Sequence, residues 1–205
     1  MPEAGSEWRN TTHDWARSVD AQHLAEIRAK PDVFAPCGAM HLVLEVLAYA
    51  ADEARSAGNG SCAVILNEDG SISITDNGRG TDTRTDEHGR AIKKPVMTTK
   101  DLRFFDDPSA EALPDGHPRR GMSVVAALSE WLIHTNRRTN GVWRQRYEHG
   151  VPVTDLEQLV PDGIAGTTVQ FQPSRMIDKL RAADVADLTA LRRWPDLAID
   201  VIDHR

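Results

Sequence analysis

A carboxylate followed by two closely spaced glycines is the part of this sequence best equipped for molecular recognition. Residues 73–80 read Ser-Ile-Thr-Asp-Asn-Gly-Arg-Gly. The alternation of Ile72 and Ile74 with polar neighbours predicts a strand that delivers Asp76 at its end, where Gly78 and Gly80 let the chain turn. A buried carboxylate at a strand end can accept a hydrogen bond from an exocyclic amine, and glycine lets backbone approach a flat ring closely. A second set of polar groups lies upstream. His41, Glu45, Tyr49, Asp52 and Glu53 recur at helical spacing, which puts them on one stripe while Leu42, Val43, Val46, Leu47 and Ala50 face elsewhere. Such a stripe is either a solvated polar face or, in a helix this apolar and placed just before the Asp76 strand, the wall of a site.

The elements that must position these groups follow from the pattern on either side. Residues 38–57 predict a helix rich in Leu, Val and Ala, stopped by Gly58-Asn59-Gly60. A hairpin follows, Cys62 to Leu66 and Ser71 to Thr75, joined by Asn67-Glu68-Asp69-Gly70. Residues 1–37 read as a loose polar arm with one short helix near Val19 to Ala29, and residues 38–205 as the main domain. Residues 81–120 are charged and carry Pro95, Pro108, Pro114 and Pro118, a long loop of the kind that is usually functional or disordered, with at most a short helix near Thr98 to Phe105. Gly121 opens a second helix, Met122 to Ser129. Strands are expected at Trp131–Arg137, Trp143–Tyr147 and Thr167–Gln172, then a helix at Ala183–Arg193 and a strand at Ala198–Asp203. This order predicts an α+β fold, a mixed sheet covered by helices on one face.

Bulk properties narrow the function classes. The 205-residue chain can bury a full core, and its 40% apolar and 27% charged residues are those of an ordinary globule. A net charge of −7 argues against an intrinsic nucleic-acid surface, which needs clustered Lys and Arg. No apolar run nears the roughly 20 residues of a membrane span, and the polar N-terminus lacks a signal-like apolar core, so a cytoplasmic protein is expected. Cys37 and Cys62 have no metal-ligand spacing and read as two reduced, packed thiols. His88, His117 and His149 show no metal spacing with one another. Trp8, Trp15, Trp131, Trp143 and Trp194 read as core or arm anchors.

Six collinear segments carry a resemblance. They are His-Leu-Val-Leu-Glu-Val at 41–46 with Asp-Glu-Ala at 52–54, Gly-Ser-Ile-Ser-Ile-Thr-Asp-Asn-Gly-Arg-Gly at 70–80, Val-Met-Thr at 96–98, Gly-Met-Ser-Val-Val-Ala-Ala-Leu-Ser-Glu at 121–130, Arg-Gln-Arg-Tyr-Glu-His-Gly-Val-Pro at 144–152 and Gly-Thr-Thr-Val-Gln-Phe at 166–171. Over residues 38–175 the chain resembles the N-terminal ATP-binding domain of the B subunit of bacterial DNA gyrase and topoisomerase IV, within the GHKL superfamily. The resemblance implies the two-layer GHKL (Bergerat) sandwich, with residues 81–120 as the ATP lid. It implies that Asp76 receives the adenine amino group with Thr167 beside it, that Gly80 lines the adenine and ribose with Gly78 also among the nucleotide-binding residues, and that Arg79 pairs with Glu53 or Asp52 at the rim. Glu45 matches the general base for the attacking water and His41 the histidine that supports it. Gly121 matches the helix start that meets the phosphates, and Arg138 the arginine that stacks on aminocoumarin inhibitors.

The departures from the family pattern all fall on the phosphate side. Tyr49 stands where the family has an Asn that holds Mg²⁺, and a phenol is a poor ligand for a hard cation. The glycine-rich end of the lid is replaced by Asp115-Gly116-His117-Pro118-Arg119-Arg120-Gly121. Pro118 has no N–H to offer, and Arg119 and Arg120 read either as charge clamps on phosphate or as solvated lid residues. The lid tyrosine and lysine that contact nucleotide have no counterparts, and Tyr49 and Tyr147 are the chain's two tyrosines. The segment holds neither the domain that supplies a catalytic lysine nor a DNA-cleaving domain, so no topoisomerase activity is expected of it alone.

An ATP-binding domain with weak or absent Mg²⁺-dependent hydrolysis is therefore expected, a monomer whose partner is an adenine nucleotide or a nucleotide-competitive inhibitor. The alternative is a non-enzymatic pseudo-ATPase module that holds a nucleotide or an aminocoumarin-type antibiotic and signals to a protein partner. A scaffold whose pocket is filled by Tyr49 or Arg119 is the third reading.

Overall fold

The computed structural model describes residues 19–81, 83–85, 91–93, 95–105, 107, 109–191 and 193–205. Residues 1–18 of the expected arm, with Trp8 and Trp15, and also His88 and Pro108, lie outside the described residues. In chain order the elements are α1 (Ala21–Ala29), α2 (Pro31–Phe34), α3 (Ala39–Ala57), β1 (Gly60–Leu66), β2 (Ile72–Asp76), β3 (Thr83–Thr85), β4 (Ala91–Lys93), α4 (Met122–Ala127), β5 (Ser129–Arg138), β6 (Gly141–Glu148), β7 (Val151–Pro152), β8 (Glu157–Leu159), β9 (Gly166–Pro173), α5 (Ala182–Ala190) and β10 (Leu197–Asp203). One sheet runs β10-β1-β2-β9-β5-β6-β7, with β8 also paired to β6, and β3 and β4 form a separate ribbon. The β1–β10 pair is parallel and the other pairs of the main sheet are antiparallel, so the sheet is mixed and the fold is α+β.

Register puts the apolar residues of the central strands on one face. Ile72 pairs with Phe171 and Ile74 with Val169, all buried, while the alternate pairs Ser73–Gln170 and Thr75–Thr168 are polar. Helix α3 lies against β1, β2 and β10, and α4 against β5 and β6, giving the two-layer arrangement of the GHKL sandwich. Ala and Leu favour helix throughout α3. Its burial extends well round the cylinder, taking in Leu42, Val43, Leu44, Leu47 and also His41 and Glu45. The polar stripe is thus not a solvated face.

Several boundaries differ from expectation. Helix α1 is part of the core and not a loose arm, for Leu24 and Ile27 are both fully buried and His23 Nε2 lies 2.9 Å from Ser123 Oγ in α4. Residues 98–105 form turns in place of a helix. The closing helix stops at Ala190, where Leu191 adopts an extended backbone. Cys62 is buried but Cys37 is exposed, so only one of the two free thiols is packed. Trp143 and Trp194 are buried as expected. Among the described residues no helix is long and apolar enough to cross a membrane.

Candidate ligand-binding site

The end of β2 and the loop after it frame a cavity of about 310 Å³, whose lining includes Tyr49, Asp76, Arg79, Gly80, Arg138 and Thr167, with an apolar floor from Val46, Val96, Met97, Met122 and Val169. Asp76 is fixed by its own neighbourhood. Its Oδ1 accepts the backbone N–H of Gly78 at 2.8 Å and that of Thr167, at the start of β9, at 3.3 Å. Among the described residues Oδ2 has no protein hydrogen bond and remains able to accept one from an amine. Burial pushes the Asp76 carboxyl up, against the two backbone hydrogen bonds that favour its charge.

Gly80 must be glycine on two counts. Its φ is +77°, and a Cβ there would come within 2.6 Å of Asn136 Oδ1 and 2.7 Å of the Arg137 carbonyl. Asn136, buried in β5, accepts the Thr81 N–H and donates to the Thr81 carbonyl, both at 2.7 Å, which clamps the loop that carries Arg79 and Gly80. Sequence reasoning missed this residue; an amide in the middle of a buried strand was the available signal. Arg79 pairs with Glu53 (Nε to Oε2, 2.9 Å), and Asp52 pairs elsewhere. Arg138 donates to the Gly80 carbonyl at 3.3 Å.

The other half of the expected site is organised differently. Glu45 is fully buried and does not line the cavity; its two oxygens accept the backbone N–H groups of Arg120 and Gly121, the latter at 2.9 Å. His41 Nε2 lies 3.5 Å from Glu45 Oε1, a long charge contact, while Nδ1 bonds Asp115 Oδ2 at 2.7 Å. Burial pulls the His41 pKa down, but the bond to Asp115 and the charge of Glu45 outweigh it and raise the pKa to about 9. Asp115 is held below the usual carboxylate range: burial opposes this, but the His41 bond prevails.

Tyr49 donates its phenolic proton to Asp101 Oδ2 at 2.7 Å. Its hydroxyl abuts the start of α4, where a Cβ added at Gly121 would be 3.0 Å from it. Burial pushes the Tyr49 phenol up, and the charge of Asp101 adds to this. A phenol that donates its proton to a carboxylate is a poor ligand for a hard cation such as Mg²⁺.

Arg119, 1% exposed, lies with its guanidinium carbon 4.5 Å from the Tyr49 ring centroid and 4.1 Å from that of Phe104, and Nη2 is 2.9 Å from Asp52 Oδ2. It is not a solvated lid residue. Arg120 Nη1 donates to the Phe104 and Phe105 carbonyls at 3.2 and 2.7 Å. Asp101, Arg103 and Asp115 complete this lattice and were not singled out by sequence; their only signal was their place in the charged loop.

The cavity therefore gathers Asp76, Arg79, Gly80, Thr167, Tyr49 and Arg138, and its lining does not include His41, Glu45, Gly78, Arg119, Arg120 or Gly121. No family model matches the chain. Among curated relatives, it is 35% identical to the DNA gyrase B subunit of Thermotoga maritima over 75% of this chain and 25% of that protein. It is 36% identical to the DNA gyrase B subunit of Haloferax volcanii over 66% of this chain and 22% of the relative. With the DNA topoisomerase 4 B subunit of Bacillus subtilis the identity is 32%, over 89% of this chain and 29% of the relative. The chain spans about a quarter of the length of these relatives. Similarity over most of the chain, together with the mixed sheet covered on one face, makes this a gyrase-B-like domain of the GHKL superfamily.

Proposed function

We propose that the cavity binds the adenine ring of a nucleotide and that Mg²⁺-dependent hydrolysis by this chain is weak or absent. The observation that carries the proposal is the arrangement of Asp76. Two backbone amides hold one of its oxygens, the second is left to accept from an exocyclic amine, and Gly80 and Thr167 line the same cavity. The apolar floor suits the faces of a flat ring. Against hydrolysis stand Glu45, whose oxygens are engaged by backbone amides, and Tyr49, a poor ligand for the metal.

A second reading, a non-enzymatic module for an aminocoumarin-type inhibitor, is favoured by one observation: Arg79 and Arg138 line the cavity and His41 and Glu45 do not. Both readings use Asp76, and neither gives the chain topoisomerase activity of its own.

Calorimetric titration with ADP tests the primary reading, using the wild type and Asp76→Asn, which keeps Oδ1 as an acceptor and removes the other. Binding by the wild type and a loss of about tenfold or more in the variant are expected, the worth of one charge-assisted hydrogen bond. Equal affinities, or no binding by the wild type, would contradict it.

A further inference from the structure

We infer that this site takes an adenine-bearing ligand of nucleoside size without a polyphosphate, because the chain's own lid end occupies the phosphate half of the site. The inference rests on the reading of the cavity as an adenine site and names its ligand class.

In a site built for a polyphosphate, cationic side chains and helix-start amides are kept available for the anion. Here several of these groups already have partners from the protein. The amides of Arg120 and Gly121 are spent on Glu45. Arg119 is buried between two aromatic rings with Nη2 in charge contact with Asp52, although among the described residues its Nε and Nη2 make no well-aligned hydrogen bond. Arg103 grips Asp101 with two bonds, Nε to Oδ1 at 3.0 Å and Nη2 to Oδ2 at 2.7 Å. His41 is held by Asp115.

The lid end is also tied down as backbone. Ala112 and Pro118 form a β-bridge, and the Arg119 N–H donates to the Glu111 carbonyl at 2.9 Å. A triphosphate would bring several negative charges to a cavity whose lining already includes Asp52, Glu53 and Asp76. It would also need a metal for which Tyr49 is a poor ligand. At about 310 Å³ the cavity sits at the lower end of the roughly 300–1,000 Å³ typical of ligand clefts.

The test compares adenosine, ADP and ATP by calorimetry on the full chain, each with and without Mg²⁺. Adenosine is expected to bind at least as tightly as ATP, with no more than about a twofold effect of Mg²⁺ on either. ATP that binds about tenfold or more tighter than adenosine in Mg²⁺ would overturn the inference while leaving the adenine reading intact. No binding of any of the three would overturn both. The double variant Tyr49→Asn/Arg119→Gly is expected to improve ATP relative to adenosine by about tenfold, and a folded double variant with an unchanged ratio would count against the inference. The wild-type comparison decides the matter if that variant does not fold.

Discussion

The Gly121 amide, at the start of α4, donates a 2.9 Å hydrogen bond to the fully buried carboxylate of Glu45. Glu45 is thereby a structural anion that caps a helix start, a role favoured by the partial positive charge there. The Glu45→Gln variant keeps the shape but replaces one acceptor oxygen with a donor that must face an N–H. A loss of about 2–4 kcal/mol in chemical denaturation is expected. A loss below about 0.5 kcal/mol would mean that the segment leading into α4 is not held this way.

Tyr49 ties α3 to the loop before α4 through Asp101, which is 1% exposed and so depends on its partners. Removing the hydroxyl in Tyr49→Phe leaves Arg103 on Asp101 but loses one bond to a charged acceptor. The expected cost is about 1–3 kcal/mol in denaturant unfolding, with the fold unchanged by circular dichroism.

His41 makes stability depend on pH. Its folded pKa of about 9 lies above the ordinary 6.5, so the contribution is fully present below pH 6.5 and is lost as pH rises through about 9. The ceiling of this effect is on the order of 3 kcal/mol. Thermal unfolding of the wild type should therefore weaken between those pH values. Asp115→Asn removes the main partner and should flatten that slope; an unaltered slope would mean that another group titrates.

The two thiols should react at very different rates. Cys37 is exposed, whereas Cys62 is buried and burial pushes its thiol up to about 12, with the charge of Asp76 adding to the effect. Only the thiolate reacts. Alkylation followed by mass spectrometry should modify Cys37 in the native protein and Cys62 only after unfolding.

The sequence showed the frame of the fold well and its short connections poorly. The Ile72/Ile74 alternation and the Ala- and Leu-rich run over 39–57 are long, strongly periodic signals, and β2 and α3 stand where they point. Strands β7 and β8 are too short to carry a period, and neither was anticipated. Among site residues, the Asp76–Gly80 turn is local and could be read directly. Thr167, 91 positions from Asp76 in sequence, joins it only through the pairing of β2 with β9, and its place was expected from the family resemblance alone. The surroundings of Arg119 were not legible. The sequence left it as a phosphate clamp, a solvated loop residue or a filler of the pocket, and the groups that bury it, Asp52, Tyr49 and Phe104, come from other parts of the chain.

The central claim is that the ring side of the site is open for recognition and the phosphate side is built over by the chain itself. Backbone amide chemical shifts recorded by NMR during an ADP titration test both halves at once. The account predicts shifts at the Gly78 and Thr167 amides, which donate to Asp76, and none of comparable size at the Arg120 and Gly121 amides, which donate to Glu45. Large shifts at Arg120 and Gly121, or no shift at Gly78 and Thr167, would contradict it.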